Sequence, residues 1–117
     1  MEIQERMVGS VVVLDLSGRI MVGENDGRLK DKVNSLIFQG HHYILLNLGD
    51  VVYIDSNGLG ELVSSYSAVA KRGGQIKLVN LTKRVEDLLA ICRLLTVFDT
   101  YDDETAAIAS FPEAVKA

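Results

Sequence analysis

Residues 54–60 read Ile54-Asp55-Ser56-Asn57-Gly58-Leu59-Gly60, and the reading of this stretch decides the fold. The apolar run Val51-Val52-Tyr53-Ile54 leads into it. Beyond it, Leu59, Leu62, Val63, Tyr66, Val69 and Ala70 recur at the spacing of one helix face. The stretch is therefore a junction where a strand hands over to a helix reaching about Arg72. Gly73-Gly74 closes that helix, and Lys71 and Arg72 suit the negative end of its dipole. Asp55 or Ser56 can serve as the N-cap, accepting from first-turn N–H groups that lack a helical partner. A plain cap gains nothing from Gly58 and Gly60, since each glycine inside a helix costs about 1 kcal/mol relative to alanine. They make sense where something approaches the backbone closely, or where the turn needs unusual φ values.

Upstream, residues 3–8 and 11–16 read as two strands parted by Gly9-Ser10. The second is β-branched and nearly continuous, as expected of a strand covered on most of both faces, and Ser17-Gly18 ends it. Residues 19–26 read as a loop. Leu29, Val33, Leu36 and Ile37 then give a helix over roughly 26–39, stopped by Gly40. Residues 43–48 form a buried strand, followed by a turn at Gly49-Asp50. Downstream, residues 75–81 read as a strand, and Thr82 caps a helix whose Val85, Leu88, Leu89 and Cys92 line one side. Val97-Phe98 begins a last short strand. Asp102-Asp103-Glu104 places negative charge at the start of a terminal helix through Ala106, Ala107, Ile108 and Phe111. Strands joined by helical crossovers predict an α/β domain. Its sheet is mixed but mostly parallel, because the first two strands have almost no connection and pair antiparallel.

A chain of 117 residues, 48% apolar and 24% charged, has the size and composition of one soluble domain. The net charge of −4 and the scattered lysines and arginines argue against nucleic-acid binding, which needs clustered cations. Cys92 stands alone, so no intramolecular disulfide forms, and it reads as a small buried hydrophobe. No signal-peptide pattern opens the chain, and no apolar run approaches the ~20 residues needed to span a bilayer. The expectation is a cytoplasmic protein with no membrane segment.

Ser56 admits a second reading beside the cap. A phosphoryl group there lies at the positive end of a helix dipole, near free N–H donors. It adds about −1.5 to −2 charge, close to Asp50 and Asp55, and a partner fitted to a neutral serine is repelled.

"YIDSNGLGELV" resembles the Asp-Ser-Ser/Thr-Gly-Leu-Gly signature of anti-sigma-factor antagonists, the STAS domain. "ILLNLGDVVYIDS" and "AKRGGQIKLVNLTKRVEDLL" resemble the family's approach to the serine and its later helix, turn, strand and helix. The resemblance covers residues 5–111, and the whole chain, 1–117, is read as one such domain. It implies a mixed sheet with about four helices and a bacterial, non-enzymatic regulator of transcription without cofactor or metal. It further implies a partner anti-sigma factor that is also a serine kinase, and a PP2C-type phosphatase that reverses its action. The unphosphorylated antagonist binds the anti-sigma factor and releases the sigma factor. Carried over, Ser56 is the phosphorylated residue, Asp55 lies beside it, and Gly58, Leu59 and Gly60 complete the motif. Asn57 stands where the family has Ser or Thr. The loop that often reads Gly-Glu-Leu/Ile-Asp is here Gly18-Arg19-Ile20-Met21, with Glu24 and Asp26 as the nearest carboxylates. The partner surface is expected around Ser56, Leu59 and the loop from Arg19 through Met21 to Glu24. The alternative is an unphosphorylated STAS scaffold, which the Asn57 and Met21 departures favour.

Other chemistries fit poorly. A serine hydrolase elbow needs glycine two residues before the nucleophile, where Ile54 stands, and His41 and His42 fall before a strand. The two histidines lack further metal ligands at a recognisable spacing. Asp15 lies within its strand, away from a receiver-domain acidic cluster. Gly58-Leu59-Gly60 is too short for a dinucleotide fingerprint, because Val63 holds the third glycine's place.

Overall fold

The computed structural model describes residues 1–21 and 27–112. Strand β1 (Glu2–Val8) turns through Gly9, at φ +61°, into β2 (Val11–Ile20) as an antiparallel hairpin. Then come α1 (Arg28–Phe38), β3 (Tyr43–Ile54), α2 (Ser56–Lys71), β4 (Gln75–Val79), α3 (Lys83–Ile91), β5 (Thr100–Tyr101) and α4 (Glu104–Ala109). The strands lie in chain order, β1-β2-β3-β4-β5, and every pair after the first is parallel. The sheet is thus mixed, as the sequence predicts.

Period-two alternation sorts the core. Val12, Leu14 and Leu16 of β2, with Ile44, Leu46 and Leu48 of β3, face the apolar stripes of α1, α2 and α3. Val11, Val13, Leu45 and Val79 point the other way and meet Ala107 and Phe111 at α4. A polar ladder crosses this second face. The Arg6 guanidinium donates to Asp15 (Nε–Oδ2 2.7 Å) and to Glu104 (Nη1–Oε2 2.9 Å). Asn47 donates to Asp15 at 2.8 Å and accepts from Asn80 at 3.1 Å. Hydrogen bonds from Arg6 hold the Asp15 and Glu104 carboxyls below their ordinary range, against partial burial that works the other way. Lys77, 5% exposed, donates to the Ser110 carbonyl and hydroxyl and lies 4.8 Å over the Phe111 ring, fastening the end of α4.

Several boundaries differ from the sequence reading. Ser17-Gly18 does not end β2. Gly18 adopts φ +89°, the register shifts there, and the strand continues until Ile20, fully buried, pairs with Ile54. Gly49-Asp50 is not a turn but an irregularity inside β3, opposite the shift between Asp15 and Ser17. Strand β4 stops at Val79, because Asn80 takes φ +59°. Cys92 is exposed: α3 ends at Ile91 and Arg93 turns left-handed at φ +60°, so Leu94 packs against the core instead. Val97-Phe98 is not a strand. Phe98 is a core plug set edge-on to Tyr66 at 5.3 Å, and β5 begins at Thr100.

Candidate functional site

The first turn of α2 divides the motif's duties. Asp55, extended at φ −111° and ψ −179°, is the N-cap, and its Oδ1 accepts from the Gly58 amide at 2.8 Å. Ser56 is therefore not the cap but the first helical residue. Its side chain is exposed, and its hydroxyl makes no hydrogen bond among the described residues. Asn57 is also exposed.

Gly58 and Gly60 have different reasons. A Cβ on Gly58 would lie 2.0 Å from the Ile20 carbonyl oxygen, so the start of α2 sits directly on the end of β2. The close approach anticipated for the motif is real at this position, and the approaching group is the protein's own strand. Gly60 is exposed, lacks a left-handed φ, and a Cβ there would meet none of the described residues outside its own helix within 4 Å. Leu59, 3% exposed, belongs to the core, which corrects its expected place on an exposed partner surface.

Sheet register brings the second segment of the predicted site alongside. Arg19 pairs with Tyr53 and Ile20 with Ile54, so Arg19 and Met21 flank the strand end that delivers Ser56. Arg19 is exposed and Met21 half-buried. Glu24 lies outside the described residues.

Two features escaped the sequence reading. Helix α1 starts behind Gly27, at φ +74°, without a side-chain cap of its own. Its cap comes from α2: Glu61 Oε1 accepts from the Leu29 amide at 2.7 Å and the Lys30 amide at 3.4 Å. The sequence reading opens this helix near residue 26, with Gly27 inside it, so the missing cap leaves no signal there. The second is Arg84 of α3, whose guanidinium lies 4.1 Å over the Tyr53 ring beside the junction.

The hydrolase reading fails on distance. His41 and His42 precede β3, and Ser56 follows it, across a 12-residue strand. At ~3.3 Å per residue that is more than about 30 Å.

The STAS domain family model matches residues 2–107, and the chain belongs to that family. A Thermotoga neapolitana protein, named as a homologue of TM1081 and a candidate anti-sigma factor antagonist, is 34% identical over 88% of this chain and 91% of its own length. The anti-sigma-B factor antagonist of Bacillus subtilis is 39% identical over 71 residues, 61% of this chain and 64% of that relative. The crystal structure of Thermotoga maritima TM1081 superposes with a TM-score of 0.81 at 27% identity, covering 93% of each chain.

Proposed function

We propose that this chain is a cytoplasmic, non-enzymatic anti-sigma-factor antagonist switched by phosphorylation of Ser56. Unphosphorylated, it binds an anti-sigma factor and frees the sigma factor. The anti-sigma factor, acting as a serine kinase, phosphorylates Ser56, and a PP2C-type phosphatase resets it. The observation that carries this reading is the exposed Ser56 hydroxyl at the first position of α2, with the capping duty taken by Asp55. A phosphate there adds about −1.5 to −2 charge at the surface without touching the core. At the helix start it is tolerated by the dipole, worth about 0.3–1 kcal/mol in its favour. Its effect therefore falls on the partner, which loses affinity to charge repulsion. Names of the relatives supply the partner class, and exposed Gly60 leaves room for that partner's backbone.

Affinity for the anti-sigma factors encoded in the same genome tests this. Ser56→Asp is expected to bind at least about tenfold more weakly with unchanged folding, consistent with an unfavourable buried charge at an interface, while Ser56→Ala binds like wild type. Equal binding by wild type and Ser56→Asp refutes the switch. The scaffold reading, favoured by Asn57 and Met21, is the result if protein from native cells carries no phosphate on Ser56 by mass spectrometry. Deamidation at Asn57-Gly58 shifts mass by far less than a phosphate and is separable from it.

A further inference from the structure

The apolar face of helix α3 extends past the core. Val85 and Leu89 face the core and are buried. Leu88, half-buried, packs against the margin of that core, and Ile91, three residues on, lies outside it at 78% exposed. Leu88, Ile91 and Ile54 line a groove of about 430 Å³, with Lys83, Arg84 and Asp87 on its rim. Ile54 stands two positions before Ser56, so the groove runs up to the junction. Its rim carries two cations against one anion on a chain whose net charge is −4. Arg84 is held ready by its stack on Tyr53, whereas Lys83 and Asp87 form only a loose exposed pair at 3.5 Å. A stacked guanidinium keeps its N–H edge available to a carboxylate. An apolar floor beside a fixed cation is complementary to an amphipathic segment with an apolar anchor next to Asp or Glu.

We propose that this groove seats an acidic amphipathic segment of the anti-sigma factor, with its apolar side chain on Leu88 and Ile91 and its carboxylate on Arg84. The inference rests on the reading of the chain as an anti-sigma-factor antagonist and extends the partner surface to α3. It also explains the direction of the switch: a segment acidic enough to favour Arg84 is the kind that phosphate on Ser56 repels. Two cations are too few to hold a nucleic-acid backbone.

Ile91→Glu, Arg84→Glu, Ser56→Asp and a distant control, Phe38→Glu, are measured by calorimetry against the anti-sigma factor of the same genome that binds wild type. Ile91 and Phe38 are both largely exposed, so urea midpoints should not move. Ile91→Glu and Arg84→Glu should each weaken binding roughly tenfold or more, as loss of an interface anchor does, with Phe38→Glu unchanged. Unchanged binding by Ile91→Glu and Arg84→Glu, with Ser56→Asp still weakened, overturns the groove and leaves the switch standing. The reverse pattern overturns the switch and supports the groove. If no anti-sigma factor of the genome binds wild type, both fall. A dimer abolished by Ile91→Glu in sedimentation would assign the groove to a second copy and overturn the proposal.

Discussion

Replacing Gly58 with alanine would place a methyl carbon 2.0 Å from the Ile20 carbonyl oxygen and 2.8 Å from its carbonyl carbon. Both are backbone atoms of β2, so no rotamer change relieves the contact. The start of α2 or the end of β2 must retreat by about 1 Å before the contact reaches even the closest separation seen for real Cβ atoms. Overpacking of this kind costs about 1–3 kcal/mol, and the absence of a yielding side chain argues for the upper end. Alanine's better helix propensity returns about 1 kcal/mol. The expected net loss is therefore about 2 kcal/mol, or a Tm lower by roughly 6–12 °C for a domain of this size. Gly60→Ala is the matched control. It gains the same propensity, and outside its own helix no atom of the described residues lies within 4 Å of the new carbon, so it should stabilise by up to about 1 kcal/mol. Urea unfolding followed by far-ultraviolet circular dichroism reads both. Changes of the same sign, or a Gly58→Ala protein as stable as wild type, would refute the packing argument. The pair also separates fold from function: where a partner's backbone comes close over Gly60, Gly60→Ala folds better and binds worse.

Acid should loosen the second face of the sheet. Asp15 and Glu104 have carboxyls depressed chiefly by hydrogen bonds from Arg6. A depressed acid contributes its stability above its unfolded pKa and loses it as pH falls through the folded one. Unfolding free energy should drop below about pH 4, by about 1 kcal/mol from this cluster once screening at the 40%-exposed Arg6 side chain is allowed for. Asp15→Asn should flatten that slope in urea titrations at pH 6 and 3; an unaltered slope removes Asp15 from the acid response. For the borrowed cap, Glu61→Ala should cost about 1–2 kcal/mol, and Glu61→Gln, which keeps an acceptor, clearly less. Hydrogen exchange at the Leu29 amide should rise in the alanine variant, and equal losses for Gln and Ala would show that the contact is not a cap.

The architecture was legible because its signals are local and repeated. Apolar periodicity gave the helices, β-branched runs gave the buried strands, and glycines after periodic segments gave the stops. What was missed has two causes: a partner distant in sequence, or a helix end that the periodicity does not mark. Ser17-Gly18 looks like punctuation until β3 lies alongside and supplies a matching irregularity at Gly49-Asp50. Cys92 continues an apolar stripe on paper, but the helix ends one residue earlier and Leu94 takes the core position. Glu61 draws no notice in the sequence, because its role shows only when the uncapped start of α1 lies against α2. The junction itself was legible as a strand-to-helix handover. Which of its two glycines answered to the fold was not, because only the folded chain brings Ile20 to Gly58.

The offset between Asp55 and Ser56 also bears on how a charge could come and go here. Were Ser56 the N-cap, its oxygen would be committed to a backbone amide, and esterifying it would put a capping contribution of about 0.5–2 kcal/mol at risk. Each turn of a phosphate cycle would then perturb the helix as well as the partner. With Asp55 bonded to the Gly58 amide, the cap persists whether or not Ser56 is modified. Gly58 locks that turn against β2 through backbone packing that a surface phosphate does not reach. The arrangement confines a change at residue 56 to the solvent side of the first turn. Asp55→Asn, which keeps the capping oxygen, should therefore preserve folding. Asp55→Ala should cost about 1 kcal/mol even where Ser56→Ala costs nothing measurable. Equal losses for Asp55→Ala and Ser56→Ala would mean that the two residues share the cap after all.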